Sequence, residues 1–379
     1  LQERKQPGEG KEAGFFVKAR GLTPTSFLKP AGLLFFLYMF ILSITLLGEA
    51  LKLFGGGFAE ALISTTSNPI VGLFIGVLAT SVIQSSSTTT SILVGFVASG
   101  MITLEGAIPI VMGANIGTTI TNTLVSLTHI ARAREFVRAF SGAIVHDVFN
   151  LLSVAVLLPL QYFTNFLGHS ARFLAAAFET TGGLEFISPV KAITKPAAKL
   201  IISILGNNSW LSSLIAVALL LIALKFIVDI MKSLVLARVE GFFSRYIFKT
   251  TFRALFLGAV LTAIVQSSSI TTSIVVPLVG AGVLSLRRVY PYTLGANIGT
   301  TVTAIMAALV TSNTTAVSVA FAHLLFNICG ISIFLPLARI PLKITRRLAR
   351  MALRNKLVPV AFIVLIFFVI PLALIYLLR

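Results

Sequence analysis

Gln84-Ser85-Ser86-Ser87-Thr88-Thr89-Thr90-Ser91 recurs as Gln266-Ser267-Ser268-Ser269-Ile270-Thr271-Thr272-Ser273, and Gly113-Ala114-Asn115-Ile116-Gly117-Thr118-Thr119 recurs as Gly295-Ala296-Asn297-Ile298-Gly299-Thr300-Thr301. Both pairs are 182 positions apart, and residues 76–124 align with 258–306 without a gap, 23 of 49 positions being identical. The chain therefore contains a duplicated unit. The copies share amides and hydroxyls set in apolar sequence, where each unpaired polar group is costly. A polar, glycine-interrupted patch repeated in both halves of a membrane protein points to a substrate site.

The surrounding composition is that of a polytopic membrane protein: 56% of the 379 residues are hydrophobic and 11% charged. The lone cysteine, Cys329, leaves no disulfide framework and no cysteine-based metal site within one chain. The net charge of +18 comes from basic residues between apolar stretches, the pattern of cytoplasmic loops. The partner it implies is the lipid bilayer and not nucleic acid. The chemistry is that of a transporter and not an enzyme. Four histidines are scattered, neither serine-rich motif has a His or Lys nearby in sequence, and no Gly-Lys-Ser/Thr phosphate loop occurs.

Seven stretches are long and apolar enough to span: about 31–51, 107–128, 141–160, 209–231, 289–310, 316–337 and 358–378. The first reads as a span and not as a cleaved signal. Segments 69–100 and 254–282 carry the Gln-Ser-Ser-Ser motifs at their centres. Each of their arms is roughly 15 residues, or about 22 Å as helix, too short to cross alone. Each reads as a re-entrant hairpin with the motif at its tip. The expected fold is all-α, with two inverted repeats, each holding a hairpin and a broken helix. Residues 1–29 form a cytoplasmic segment, 31–160 the first span and repeat, 161–208 an external connection, 209–337 the second half, 338–357 a cytoplasmic basic segment and 358–379 the last span.

Charge sets the orientation. Loop 129–139 holds Arg132, Arg134 and Arg138, whereas its counterpart 311–321 holds no basic residue; loop 52–68 holds only Lys52 against Arg238, Arg245 and Lys249 in 234–250. The positive-inside rule then orients the copies oppositely, with the N-terminus cytoplasmic and the C-terminus external in a plasma (inner) membrane. Between residues 340 and 356, Lys343, Arg346, Arg347, Arg350 and Arg354 share one helical face, and Ile344, Leu348 and Met351 the other. This predicts an amphipathic helix on the cytoplasmic membrane surface.

The Ser/Thr run after each glutamine would open the return helix of its hairpin, where exposed N–H groups and the helix dipole favour an anion. Hydroxyl and carbonyl oxygens equally suit a hard cation such as sodium. Pro109, Gly113 and Gly117, with Pro291, Gly295 and Gly299, are expected to loosen the next helix and free carbonyls near Asn115 and Asn297. A further pair, His146-Asp147-Val148-Phe149-Asn150 and His323-Leu324-Leu325-Phe326-Asn327, leaves Asp147 unmatched. A carboxylate within a span is a functional-site candidate, here a cation site in one repeat only, or else a charge paired locally with His146 or an arginine. Lys225 and Asp229, four apart on one span, are expected to neutralise each other.

These residues resemble the type II sodium-dependent phosphate cotransporters. Both motifs occur twice in the family's order and spacing, joined by Arg134-Glu135-Phe136-Val137-Arg138-Ala139-Phe140-Ser141-Gly142-Ala143 and by Ile193-Thr194-Lys195-Pro196. The likeness covers about 31–378. It implies uptake of inorganic phosphate coupled to inward sodium flow, with sodium as coupling ion and no other cofactor. Gln84, Ser85, Ser86, Ser87, Gln266, Ser267, Ser268 and Ser269, with Asn115 and Asn297, would bind substrate. Gln266, Ser267, Thr300 and Thr303 would hold one sodium, and Asp147, Thr118, Thr121 and Asn150 are the further sodium candidates. Asp147 matches an aspartate of electrogenic members where electroneutral ones carry glycine. The short, cysteine-free connection and the stop at Arg379 suggest a compact bacterial member. Another oxyanion such as sulfate or arsenate, or a non-transporting phosphate sensor or scaffold, are the alternative readings.

Overall fold

The computed structural model describes residues 24–181, 188–239 and 250–378. The described residues form helices joined by short turns and contain no strand. Seven helices are long and apolar enough to cross a membrane: Leu28–Lys52, Leu104–Leu127, Ala133–Thr164, Ser209–Leu234, Leu286–Thr311, Thr314–Phe334 and Leu357–Leu378. They coincide with the seven expected stretches, with ends displaced by up to eight residues, most at the third, which starts at Ala133 where 141 was expected.

The first repeat runs from α1 (Pro24–Lys52) through α2 (Gly56–Ser67), α3 (Pro69–Ile83), α4 (Ser86–Ala98), α5 (Leu104–Gly117) and α6 (Ile120–Leu127) into α7 (Ala133–Thr164). The stretch read as the loop 52–68 is largely α2, which meets α3 at an angle of 100°. Pro69 opens α3, and the Asn68 side chain accepts from the Ile70 N–H at 3.0 Å, capping the new helix. The connection between the halves is helical as well, forming α8 (Phe166–Thr180) and α9 (Ser188–Ile204). Glu105 at the start of α5 pairs with Arg172 of α8.

The second half follows as α10 (Ser209–Val239), α11 (Thr251–Val265), α12 (Ser268–Ser273), α13 (Val275–Gly280), α14 (Leu286–Thr311) and α15 (Thr314–Phe334). Then come α16 (Arg339–Arg354), α17 (Leu357–Val364), a π-helical turn over Leu365–Val369, and α18 (Ile370–Leu378).

Packing of α3 on α5 and of α11 on α14 gives the two most extensive helix contacts, at equivalent places in the two copies. The duplicated glycines are their cause. A Cβ on Gly113 would lie 1.9 Å from the Leu73 carbonyl oxygen, and one on Gly295 would lie 1.9 Å from that of Leu255. Gly117 and Gly299, four residues on, are crowded in the same way. The pattern is that of small residues admitting a close helix–helix crossing in a membrane. It corrects the expectation that these glycines loosen their helices.

A second expectation holds for one copy only. The first-copy helix is interrupted at Thr118–Thr119, between α5 and α6, whereas α14 continues through Pro291, Gly295 and Gly299 without a break. At the break the Thr119 hydroxyl is drawn to Asp147. Thr119 and its counterpart Thr301 both bond back to the residue three before, Ile116 O and Ile298 O, at 2.7 Å, but Thr301 has no carboxylate to meet because Leu324 stands where Asp147 does.

The basic amphipathic helix is present as α16, but its apolar residues are used differently from the expectation. Pro341, Leu342, Thr345, Ala349 and Ala352 are buried, Ala349 and Ala352 packing with Phe136, Phe140 and Ile144 of α7. Ile344 and Met351 remain exposed. Small side chains let α16 dock on the protein itself, so its apolar surface divides between α7 and the outside.

Candidate functional site

The two motifs adopt one conformation. Gln84 ends α3 in the left-handed region at φ 58°, ψ 25°, and Gln266 ends α11 at φ 61°, ψ 21°. Ser85 and Ser267 follow at φ −148°, ψ 105° and φ −149°, ψ 106°. Each serine caps the next helix, accepting from the Thr88 N–H at 3.2 Å and from the Ile270 N–H at 3.3 Å. A non-glycine residue held at positive φ is uncommon, and its repetition at both tips marks a conformation fixed by its surroundings.

The copies differ beyond the tip. In the first, the return helix α4 runs unbroken for 13 residues. In the second, α12 lasts 6 residues before the chain resumes helix as α13. Gln266 is buried, and Thr303 donates to its Oε1 at 2.6 Å. Gln84 is exposed, and the hydroxyl of Thr121, the counterpart of Thr303, is buried without a partner.

The tips of the two repeats approach each other. Ser87 Oγ lies 3.4 Å from the Gln266 carbonyl oxygen, and Ser269 Oγ lies 3.5 Å from that of Thr118. Between them and α10 lies a cavity of about 310 Å³, lined by Ser85, Ser87 and Thr88 from one motif and by Gln266, Ser267 and Ile270 from the other. Ile83, Leu221, Leu224, Lys225, Val228 and Asp229 complete its wall. Its size falls at the lower end of the about 300–1,000 Å³ typical of small-ligand sites. A larger cavity, near Pro69 and Tyr162, contains none of the motif residues.

The halves are also joined by amide and imidazole groups. His146 Nε2 lies 2.5 Å from Asn297 Oδ1, and His323 Nε2 lies 3.4 Å from Asn115 Oδ1. Asn150 donates to the Asn115 carbonyl oxygen at 2.6 Å and accepts from Asn297 Nδ2 at 2.8 Å. All five residues are buried. The Asn115 carbonyl expected to be free for a cation is therefore engaged. Asp147, also buried, accepts from Thr119 and, at 3.2 Å, from Thr123. Among the described residues neither His146 nor an arginine pairs with it.

The profile of the Na+/Pi-cotransporter family matches residues 39–171 and 219–369. The chain is 35% identical to the sodium-dependent phosphate transport protein 2A of Ovis aries, over 98% of this chain and 70% of that protein. It is 33% identical to the sodium-dependent phosphate transport protein 2B of Homo sapiens, over 90% of this chain and 64% of that protein. The chain belongs to the Na+/Pi-cotransporter family. No solved structure matches it significantly. This is a family of membrane transport proteins and not of enzymes, and the seven apolar helices agree with a multi-pass member.

Within this cotransporter fold the residues singled out in the sequence fall into separate groups. Ser85, Ser87, Gln266 and Ser267 share the central cavity, while Gln84, Ser86, Ser268 and Ser269 do not line it. Asn115, Asn297 and Asn150 belong to the amide–imidazole network. Thr118 and Thr300 donate to carbonyls of their own helices, those of Ala114 and Ala296, at 2.9 Å and 3.0 Å.

Asn122 and Thr123 escaped the sequence reading, and Thr119 entered it only as part of the duplicated motif. Thr119 and Thr123 bracket Asp147, and Asn122 bridges the repeats through Thr272 at 2.8 Å and Ser273 at 3.2 Å. For Asn122 and Thr123 the signal lay in the alignment of the copies. Asn122 and Thr123 stand opposite Ala304 and Ile305, two polar residues gained in the same half that carries Asp147.

Proposed function

We propose that this chain imports inorganic phosphate together with sodium by alternating access, and that the cycle carries net charge. One observation supports this above the others: serines of both Gln-Ser-Ser-Ser copies line a single cavity. Hydroxyls at that wall and the start of α4 offer hydrogen bonds to phosphate oxygens, with the helix dipole adding to the attraction. Oxygen atoms of Gln266, Thr303 and neighbouring hydroxyls suit sodium, a hard cation. The names of the relatives, sodium-dependent phosphate transport proteins, agree with this substrate pair.

Alternating access then consists of the two repeats moving against each other around the cavity, with inverted orientations in a plasma membrane. The loop charges favour a cytoplasmic N-terminus and an external C-terminus. Uptake of labelled phosphate into proteoliposomes, with and without an inward sodium gradient, tests the reading. Saturable uptake that collapses without sodium is the expected result, and sodium-independent or absent uptake would overturn it. Competition by arsenate or sulfate in the same assay separates phosphate from other oxyanions. A sensor or scaffold would bind phosphate without accumulating it.

A further inference from the structure

Lys225 and Asp229 do not neutralise each other as their spacing suggested. No ion pair joins them to each other or to another group among the described residues. Lysine N-terminal to the acid is the weaker order for an i, i+4 pair. Both instead line the cavity between the motifs, on a stripe of α10 made by Leu221, Leu224, Lys225, Val228 and Asp229. Offsets of 3, 4, 7 and 8 residues put all five on one helical face. A charge within a span turns to a wet cavity or a partner, because hydrocarbon offers neither.

The rest of the cavity wall is uncharged. Segments 69–100 and 254–282, which carry the motifs, contain no Asp, Glu, Lys or Arg. Hydroxyls and amides at such a wall accept a cation as readily as an anion, so they do not by themselves select phosphate. The other half offers no equivalent charge. At the 182-residue offset stand Ser43 and Leu47 of α1, both buried.

We propose that Lys225 is the cationic contact for phosphate in this cavity, and that Asp229 offsets its charge when the cavity is empty. The inference rests on the phosphate-transport reading. An ammonium acts as a point charge on a phosphate oxygen and supplies what the hydroxyls lack. The carboxylate one turn away limits the cost of holding an uncompensated charge within the membrane.

The test is phosphate uptake at saturating sodium in proteoliposomes. Lys225→Met should raise the phosphate KM by about tenfold or more, the scale of one lost charge-assisted hydrogen bond. Lys225→Arg should keep most of the affinity. Lys232→Met, on the same helix but away from the cavity lining, should leave KM unchanged. Lys225→Cys in a Cys329→Ser background supplies an arm independent of folding. Modification with an aminoethyl methanethiosulfonate should restore uptake, and the sulfonatoethyl reagent should not. A wild-type phosphate KM in an active Lys225→Met, or equal rescue by both reagents, would overturn the assignment of Lys225 alone. Absence of sodium-dependent uptake by the wild-type chain would instead sink the transport reading, and this inference with it.

Discussion

His146 Nε2 donates to Asn297 Oδ1 at 2.5 Å, tying α7 of the first half to α14 of the second. An amide oxygen only accepts, so the hydrogen sits on Nε2. The reciprocal contact, His323 to Asn115 at 3.4 Å, ties α15 back to α5. Each half thus reaches into the other with the residue that opens its His-x-x-Phe-Asn segment. Any movement of one repeat against the other must carry this network along or exchange its bonds.

That coupling is measurable. Asn297→Ala leaves both His146 Nε2 and Asn150 Oδ1 without their partner in a buried place, which costs about 1–3 kcal/mol per group. The variant should melt below wild type in detergent. A double-mutant cycle with His146→Ala should return a coupling of at least about 0.5 kcal/mol. Additive effects would show that the contact contributes nothing of its own.

The two glutamines should not be equivalent. Gln266 is 9% exposed and bonded to Thr303, whereas Gln84 is exposed and absent from the cavity lining. Gln266→Leu should therefore reduce sodium-dependent uptake strongly, Thr303→Val should do likewise, and Gln84→Leu should reduce it less. Sodium activation curves for the three variants decide this. Equal loss at both glutamines would mean that the tips exchange roles during the cycle.

Close packing by glycine gives a prediction of a different kind. With a Cβ at Gly295 meeting the Leu255 carbonyl at 1.9 Å, α11 and α14 cannot keep their separation in Gly295→Ala. Overpacking of this sort costs about 1–3 kcal/mol. A lower melting temperature and a poorer yield of monodisperse protein are expected. By contrast, Gly57→Ala on α2, where nothing lies within 4 Å, should be silent.

The positions of the seven spans were legible because hydropathy over about 20 residues is a strong signal. The motif tips were legible because chance does not repeat an eight-residue polar run. What the sequence concealed was direction. Composition could not tell that Ala349 and Ala352 dock on α7 while Ile344 and Met351 stay outside, since all four are apolar. It could not tell that Gly113 and Gly295 admit a neighbouring helix, since glycine also loosens one. The i, i+4 spacing of Lys225 and Asp229 allowed an ion pair, but the common face they share looks into the cavity. In the Asp147 cluster the carboxylate was visible and its threonine partners were not, because a threonine in one span does not show which side chain of a later helix its hydroxyl will meet.

The orientation proposed from the loop charges can be tested directly. In a Cys329→Ser background, single cysteines at Arg134 and at Thr315, both exposed, should react with a membrane-impermeant maleimide from opposite sides. Arg134→Cys should label only when the reagent has access to the cytoplasmic face, and Thr315→Cys only from outside. Labelling of both from one side would rule out inversion of the repeats.

Divalent phosphate moving with two sodium ions carries no net charge, and a third sodium leaves one positive charge per cycle. The buried carboxylate of Asp147 is held by two threonine hydroxyls and has no cationic partner among the described residues. An unpaired carboxylate in a low-dielectric place attracts a cation, and at this position only the first half has one, since Leu324 replaces it in the second. On the proposed reading that the cycle carries net charge, the extra sodium would sit in the first half, beside the break between α5 and α6. Wild-type chain should give a phosphate-induced inward current. Asp147→Gly should keep sodium-dependent uptake and lose most of that current. Thr123→Val, which removes one donor and leaves the carboxylate, should keep the current and shift its sodium dependence. Isotope flux and current recorded on the same membranes give the charge moved per phosphate. An unchanged ratio in Asp147→Gly would make the carboxylate a structural partner of Thr119 and Thr123, with the α5–α6 break as its only consequence.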